Sequence, residues 1–294
     1  MRHRKQATVP ITLTPFSLAA LAALVALVTA TACEQSDDAA APSSAPETRV
    51  ISLSPALTRI VVALGEERTL VGVDRFSRQL PGLHGLPELG GLFATDLERT
   101  VQLAPTLILA VGNREQQSYL SALQTRGVAV ESFDGHTLEE VLASVERIGQ
   151  LLGNKSQGCS LAQSIRGELD QIAASSEQRT APRPRIAIVV AVDPLYVVAG
   201  GSFVNELIEI AGAENVFGEL PEPYARVGLE ALAERAPEVL VDTTRAADEA
   251  GAARGYWQRY RWIRRLAFLP QGILTLPGPD LAQATTQLRE AIHP

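Results

Sequence analysis

Residues 97–109 read LERTVQLAPTLIL, and residues 229–241 read LEALAERAPEVLV. The two stretches share Leu-Glu, a spacer of five residues, Ala-Pro and a run of apolar residues. An internal repeat of this kind indicates two related structural units. In each unit, a short helix with a glutamate in its first turn is predicted to lead into a buried strand. Glu98 and Glu230 should therefore occupy equivalent positions.

On either side of both copies, short apolar runs alternate with segments of helical spacing. The predicted strands of the first unit are residues 49–53, 70–73, 107–111 and 128–130, and those of the second are residues 185–191, 238–242 and 272–276. Buried strands that alternate with helices are typical of α/β folds. The sequence therefore predicts an α/β protein with one sheet in each unit.

The segment between the two series is predicted to be helical from Thr137 to about Gln178, with an interruption at Gly153 and Asn154. Thr137 and Glu140 form a capping-box pattern at its start. We predict an N-terminal lobe over residues 49–136, a connecting helix region over residues 137–178 and a C-terminal lobe over residues 179–294. A stiff helical connection would resist wide hinge opening.

The N-terminus has the layout of an export signal. Residues 1–5 are basic, residues 16–28 are apolar, and small residues precede Cys33. This pattern predicts a signal peptide over residues 1–32. The sequence before Cys33 resembles a bacterial lipobox, which implies lipidation of Cys33. Plain secretion and a retained membrane anchor are the alternatives. Residues 33–48 are small, polar and proline-bearing, which is typical of a flexible tether.

Composition and motifs exclude several classes of function. A formal net charge of -7 provides no basic footprint for nucleic acid. No histidine lies at metal-ligand spacing from another histidine or a cysteine, and Cys159 has no expected disulfide partner once Cys33 carries lipid. Residues 199–202 predict a turn before a helix N-cap rather than a phosphate loop. With no nucleophile or general base indicated, we predict a protein that is not an enzyme and has no resident cofactor or metal.

Several motifs together resemble the substrate-binding proteins of ABC importers for cobalamin, haem and ferric siderophores, and most closely the cobalamin-binding branch. They are residues 49–55, 72–73, 97–105, 212–217 and 229–230. The resemblance implies two Rossmann-like lobes joined by one long rigid helix, with the ligand in the cleft between them. It also implies a monomer anchored by lipid in the cell envelope, facing the periplasm or exterior, that delivers a large metal chelate to a permease dimer with its ATPase.

The resemblance also assigns roles to individual residues. Glu98 and Glu230 match the carboxylates that dock each lobe on the permease, although the helix dipole alone favours acids in a first turn. The positions that match the ligand-binding loops are Arg75, Phe76, Leu92, Val111, Tyr196 and Tyr224.

Some of these positions depart from the family pattern. Leu92 and Val111 stand where cobalamin binders carry tryptophan, and Arg59 stands where the family often has glutamate. Arg75, Arg114 and Arg226 fall in or near the same loops, so the cleft would suit carboxylates, phosphates or an anionic ferric chelate. Packing of the aromatic residues on the lobe surfaces and solvation of the arginines at the rim are the simpler interpretations.

The resemblance implies a lipoprotein that captures a corrinoid. A haem or ferric-siderophore receptor, in which Tyr196 or Tyr224 ligates iron, is the alternative within the class. A non-transport sensor or interaction module of the envelope is the alternative from another class, because a fold does not determine a function.

Overall fold

The computed structural model describes residues 48–91, 94–112, 114–244 and 255–293. The predicted signal peptide, Cys33, Leu92 and residues 33–47 of the tether lie outside the described residues. Within the described ranges, no helix combines the length and the hydropathy that crossing a bilayer requires.

The N-terminal lobe is built on a four-stranded parallel sheet. Its strands are β1 (Val50–Ser52), β2 (Leu70–Val73), β5 (Leu107–Val111) and β6 (Ala129–Phe133). They lie in the order β2-β1-β5-β6. The central strands β1 and β5 are almost fully buried, since elements pack on both faces, and this explains why they read as continuous apolar runs. All four strands predicted for this unit are confirmed.

Short helices and one small antiparallel strand pair accompany this sheet. They are α1 (Pro55–Ala63), α2 (Leu97–Gln102), α3 (Gln117–Gln124) and the strands β3 (Gly90–Gly91) and β4 (Ala94–Thr95). Helix α1 begins with Pro55, which is favourable there because the first helical residues need no intrahelical donor. It ends before Gly65, whose φ of 71° permits the left-handed turn into the next loop.

The connecting region consists of two helices, α4 (Leu138–Leu151) and α5 (Lys155–Glu177). The predicted capping box at Thr137 and Glu140 is present, and the chain turns at the predicted interruption. The two helices pack closely enough that a Cβ on Gly149 would lie 2.7 Å from the Gly158 Cα. Because the chain reverses after α4, the long helix between the lobes is α5 alone, which is about 34 Å long at ~1.5 Å per residue.

The C-terminal lobe is built on a six-stranded mixed sheet. Its strands are β7 (Arg185–Val192), β8 (Leu195–Val198), β9 (Glu214–Asn215), β10 (Tyr224–Arg226), β11 (Val239–Asp242) and β12 (Arg265–Phe268). The order is β10-β8-β7-β11-β12, and β9 pairs with β7. Strands β7, β11 and β12 are parallel, whereas β8 and β10 form an antiparallel extension at one edge. Helices α6 (Phe203–Ile210), α7 (Leu229–Arg235) and α8 (Leu281–Ile292) complete the lobe.

One strand prediction in this lobe is wrong. Residues 272–276 form a turn, and the strand beside β11 is β12, Arg265–Phe268. The apolar run at 272–276 is short and is bounded by Pro270 and Pro277, and Gly272 has a φ of 79°, which breaks extended geometry. This turn instead faces the N-terminal lobe, where it contributes to the site described below.

Candidate functional site

Two adjoining cavities lie where the carboxyl ends of the N-terminal strands face the C-terminal lobe. The first has a volume of about 380 Å³ and the second a volume of about 690 Å³. Both are lined by Ser54, Val111, Thr275 and Leu276, so they form one cleft with two compartments. Ligands of α/β proteins commonly bind at the carboxyl ends of the strands, and both volumes suit a small-molecule site.

The first cavity has a largely apolar wall to which both lobes contribute. Its apolar lining residues are Ala56, Leu57, Ile60, Val111, Phe133, Val141, Phe203, Pro223, Tyr224, Leu276 and Pro277. Three of these are aromatic, and they come from β6, from the start of α6 and from β10. Aromatic surfaces on opposite sides of a cavity offer large contact areas to a flat apolar ligand.

Tyr224 supplies the aromatic hydroxyl of this cavity. It is hydrogen-bonded to Ser202, whose hydroxyl also accepts a hydrogen bond from the Val204 amide, 3.2 Å away, as the N-cap of α6. Burial raises the pKa of Tyr224 above its ordinary value. The phenol is therefore neutral at physiological pH in the ligand-free protein.

The second cavity is more polar and is organised around Asp74. The Asp74 carboxylate is buried and accepts hydrogen bonds from the amides of Phe76 (2.8 Å) and Ser77 (3.1 Å) and from the Ser77 hydroxyl. These bonds fix the turn after β2 and leave Phe76 56% exposed in the cavity wall. The guanidinium carbon of Arg75 lies 5.2 Å from the centroid of the Phe76 ring, which is a cation–π distance.

A buried hydroxyl network ties this turn to α1. The Thr58 hydroxyl lies 2.8 Å from Ser52 Oγ and 2.9 Å from Ser77 Oγ. These buried hydroxyls therefore satisfy one another's hydrogen-bonding capacity at the edge of the sheet. Through them, the turn after β2 is attached to α1. Of the three residues only Ser52 ends a strand, so the local sequence gives little indication of this network.

The wall that follows strands β5 and β6 places Gly112 against the exposed Asp134 side chain, which an alanine at position 112 would have to displace. A Cβ on Gly112 would lie 2.4 Å from Asp134 Oδ1, which is far inside van der Waals contact. Gly112 and Asp134 both line the first cavity, so the absence of a side chain at position 112 permits a carboxylate in its wall.

Beside the cavities, direct contacts join the C-terminal lobe to the N-terminal lobe and to the connecting helix region. The Arg59 guanidinium on α1 forms an ion pair with the Asp280 carboxylate, which immediately precedes α8. The Glu206 carboxylate on α6 accepts a hydrogen bond of 2.8 Å from the Leu138 amide at the start of α4. The sequence analysis identifies Arg59 because the family often has glutamate at this position. It does not identify Asp280 as a site residue.

The structure brings together three of the predicted ligand-binding residues. Phe76 lines the second cavity, Tyr224 lines the first and Val111 lines both. Arg75 contacts the cleft through the Phe76 ring rather than as a lining residue. Tyr196 lines neither cavity and lies opposite Arg226 in the β8–β10 pairing.

Other lining residues were missed. Phe133 ends β6 and Phe203 begins α6, and both face the first cavity. A phenylalanine at a strand end or in a first helical turn is typical of a core residue, so only the position of the opposite lobe shows that these two face a cavity.

The predicted docking glutamates occupy equivalent positions in the two lobes. Glu98 lies in the first turn of α2 and Glu230 in the first turn of α7, and both are exposed. Each helix is followed by an alanine with a φ of 45°, Ala104 or Ala236, and then by proline and a strand. The internal repeat is therefore present in the structure as well as in the sequence.

Other reactive or metal-binding groups are sparse in the described part of the chain. Residues 48–91, 94–112, 114–244 and 255–293 contain no cluster of three or more histidine, cysteine or acidic side chains placed to hold a metal. Cys159 on α5 is a half-buried free thiol. The predicted turn at residues 199–202 ends in Ser202, which is the N-cap of α6.

Sequence similarity connects the chain with proteins that bind small molecules outside the cytoplasm. The family model described as periplasmic binding protein matches residues 50–256. A vitamin B12-binding protein of Vibrio parahaemolyticus is 30% identical over 206 residues, which cover 70% of this chain and 74% of that protein.

Two crystal structures share the fold. The periplasmic vitamin B12-binding protein BtuF of Vibrio cholerae superposes with a TM-score of 0.71 at 22% identity, covering 84% of this chain and 97% of that one. A periplasmic haem-binding protein from Pseudomonas aeruginosa superposes with a TM-score of 0.70 at 26% identity, covering 84% of this chain and 93% of that one. The α/β fold with two lobes is thus shown.

Proposed function

The chain belongs to the periplasmic binding protein family, and from this premise we propose that it captures a corrinoid, a cobalamin-like chelate, in the cleft between its lobes and delivers it to an ABC transporter permease. The family consists of binding proteins rather than enzymes, which confirms the expectation that the chain is not an enzyme.

The observation that carries the proposal is the double cavity between the lobes. A large, flat chelate needs apolar surface on both sides and more volume than one small pocket provides. Phe133, Phe203 and Tyr224 provide aromatic surface in the first compartment, and Phe76 provides it in the second. The vitamin B12-binding relative supports a corrinoid over other chelates of similar size.

Delivery requires a surface that the permease dimer recognises in both lobes. Glu98 and Glu230 are exposed and stand at repeat-related positions, so they provide one carboxylate per lobe. Two carboxylates placed in this way would fix the orientation of docking and accelerate the encounter with basic residues of the partner. We assign the permease contact to these two residues.

We further propose that the protein is anchored in the cell envelope through lipid on Cys33. The support is the sequence before Cys33, which resembles a lipobox. The family is periplasmic, which agrees with an extracytoplasmic location. The tether over residues 33–48 would let the lobes reach the permease from the membrane surface.

A haem or ferric-siderophore ligand is the second candidate. Tyr224 supports it, because a phenol in an apolar cavity can ligate ferric iron once the metal replaces its proton. The haem-binding protein from Pseudomonas aeruginosa supports the same class. A non-transport sensor is the alternative from another class, and a gene neighbourhood without a permease and an ATPase would favour it.

The deciding experiment is thermal unfolding of the chain, carrying Cys33→Ser, with cyanocobalamin, cobinamide, haemin and several ferric siderophores. A ligand at about 100 times its Kd stabilises the folded protein by about 2.7 kcal/mol. We expect the corrinoids to raise the unfolding temperature. A rise with haemin alone would replace the corrinoid by haem, and no rise with any chelate would contradict capture of a large chelate.

A further inference from the structure

The Arg59–Asp280 pair is the one ion pair between the two lobes in the described part of the chain. Asp280 occupies the N-cap position of α8, where an aspartate normally accepts a hydrogen bond from the first helical turn. Its side chain makes no such bond. The carboxylate reaches instead to α1 of the opposite lobe, so a local stabilising interaction is replaced by one between the lobes.

Arg59 also belongs to the ligand cleft. It lines the second cavity, and none of the other described lining residues of the two cavities is an arginine or a lysine. The buried Asp74 carboxylate in the same cavity is satisfied by hydrogen bonds from Phe76 and Ser77 and does not pair with Arg59. The described cleft therefore contains a cation whose carboxylate partner belongs to the opposite lobe.

The two partners remain accessible to solvent. The side chain of Arg59 is 33% exposed and that of Asp280 is 40% exposed. An ion pair at this degree of exposure is weak, because water screens the attraction between the charges. An anionic group that enters the second cavity can therefore compete with Asp280 for the guanidinium, which binds carboxylates and phosphates with similar geometry.

We propose that the Arg59–Asp280 pair is a latch that holds the lobes of the empty protein together, and that a carboxylate or phosphate group of the ligand releases it by taking Asp280's place on Arg59. The exchange leaves the number of ion pairs unchanged. Arg59 loses its partner Asp280 in the opposite lobe and gains the acidic group of the ligand as its new partner. The inference rests on the proposed function for the identity of the ligand and narrows that ligand to a chelate with an acidic substituent.

The latch is tested without ligand. Spin labels at Ser121→Cys on α3 and Glu234→Cys on α7, in a chain carrying Cys33→Ser and Cys159→Ser, report the distance between the lobes. We expect Arg59→Gln or Asp280→Asn to broaden or lengthen this distance, and the charge-reversed double variant R59D/D280R to restore it. An unchanged distance distribution in both single variants would overturn the latch.

The exchange is tested with ligand pairs that differ in acidic groups. Cyanocobalamin carries a phosphodiester that dicyanocobinamide lacks, and haemin carries two carboxylates that its dimethyl ester lacks. For the acidic member of a pair that binds, Asp280→Asn should raise the affinity and Arg59→Gln should lower it, each by about two- to fivefold, with little change for the other member. If both variants weaken both members equally, the pair is only structural and the exchange is wrong.

A wild-type chain that binds none of the four chelates contradicts the proposed function and leaves the latch measurement valid. The exchange is then measured with citrate as the anion. Citrate should lengthen the distance between the lobes in the wild-type protein but not further in Arg59→Gln, and equal responses in the two proteins would overturn it.

Discussion

Ala104 and Ala236 adopt the same left-handed conformation, with a φ of 45°, at equivalent places in the two lobes. Each alanine follows a short helix that carries an exposed glutamate in its first turn, and each precedes a proline and a buried strand. A residue with a Cβ is disfavoured in this region by about 1–2 kcal/mol. The recurrence of such a conformation indicates that the helix-to-strand corner is set by the fold of the lobe and not by the local preference of alanine.

This relationship predicts the effect of glycine at the two corners. Ala104→Gly removes the steric cost of the left-handed conformation but raises the entropic cost of folding by about 0.5–1 kcal/mol, so we expect a net stabilisation between about zero and 1.5 kcal/mol. Ala104→Val should instead lower the unfolding temperature, because a β-branched side chain is poorly tolerated at positive φ. Urea unfolding of both variants measures these changes, and a glycine variant less stable than wild type by over about 1 kcal/mol would contradict the strain.

The corners also show how far the sequence determines the fold. The Leu-Glu and Ala-Pro repeat sufficed to predict two related lobes, because helix spacing and apolar strands are local patterns. The apolar run at residues 272–276 looked equally like a strand, yet β11 pairs with β12, Arg265–Phe268. Which apolar segment pairs with a sheet edge depends on the path of the chain in three dimensions, and local periodicity does not contain that information.

The assignment of the permease contact predicts that Glu98→Ala and Glu230→Ala, combined, abolish uptake of the ligand by whole cells while leaving the Kd unchanged. The physical reason is that under this assignment the two carboxylates contact the partner, whereas both lie outside the linings of the two cavities. Transport of radiolabelled cyanocobalamin and equilibrium binding provide the two readouts.

Glu234→Ala is the matched control for that pair, since Glu234 is also exposed on α7 but lies one turn beyond Glu230. It should retain uptake. Normal uptake by the double variant would show that the docking surface lies elsewhere.

Tyr224 separates the two candidate ligands. If a corrinoid binds through the aromatic surface, Tyr224→Phe should change the affinity by less than about threefold, because the ring is retained and only the hydrogen bond with Ser202 is lost. Tyr224→Ala should weaken binding by about tenfold or more, because the ring itself is removed. If haem binds with the phenolate as an iron ligand, Tyr224→Phe abolishes the phenolate-to-iron absorption band, and the visible spectrum records the difference.

The site was less predictable than the fold for a definable reason. Phe76 follows β2, Val111 ends β5 and Tyr224 begins β10, at positions that the family resemblance marks, and all three line the cleft. Asp280 lies 221 residues from Arg59 in the chain, so nothing in the neighbourhood of either residue indicates their contact. Convergence of side chains from two lobes is a property of how the lobes pack.

The lowered pKa of His293 predicts that the stability of the protein depends on pH near neutrality. Burial is the main cause that lowers its pKa below 6.5, and the nearby arginines 179, 265 and 289 act in the same direction. The unfolded chain therefore takes up this proton at a higher pH than the folded protein does, so stability is lost as the pH falls below about 6.5. Unfolding temperatures measured from pH 8 to pH 5 should decline less in His293→Gln than in wild type. Parallel curves for the two proteins would exclude His293 as the titrating group.

Two glycines should respond to alanine in opposite directions. A Cβ on Gly201 would lie 2.0 Å from the Pro221 carbonyl oxygen, and the Gly201 amide also donates a hydrogen bond of 3.1 Å to the Glu222 carbonyl. Gly201→Ala must therefore separate the loop before α6 from residues 221–222, at a cost of about 1–3 kcal/mol. A Cβ on Gly167, within α5, would meet nothing within 4 Å, so Gly167→Ala should stabilise the protein by about 0.5–1 kcal/mol through helix propensity.

Urea unfolding of Gly201→Ala and Gly167→Ala measures both changes, and ligand binding separates the two positions a second time. Ser202 is hydrogen-bonded to Tyr224 and lies in the same loop as Gly201, so a displaced loop moves the aromatic wall of the first cavity. Gly201→Ala should therefore weaken ligand binding, whereas Gly167→Ala should leave it unchanged because α5 contributes no residue to either cavity lining. If Gly201→Ala proved as stable as Gly167→Ala, the loop before α6 would accommodate a Cβ at position 201 without a loss of stability, and the prediction would be wrong.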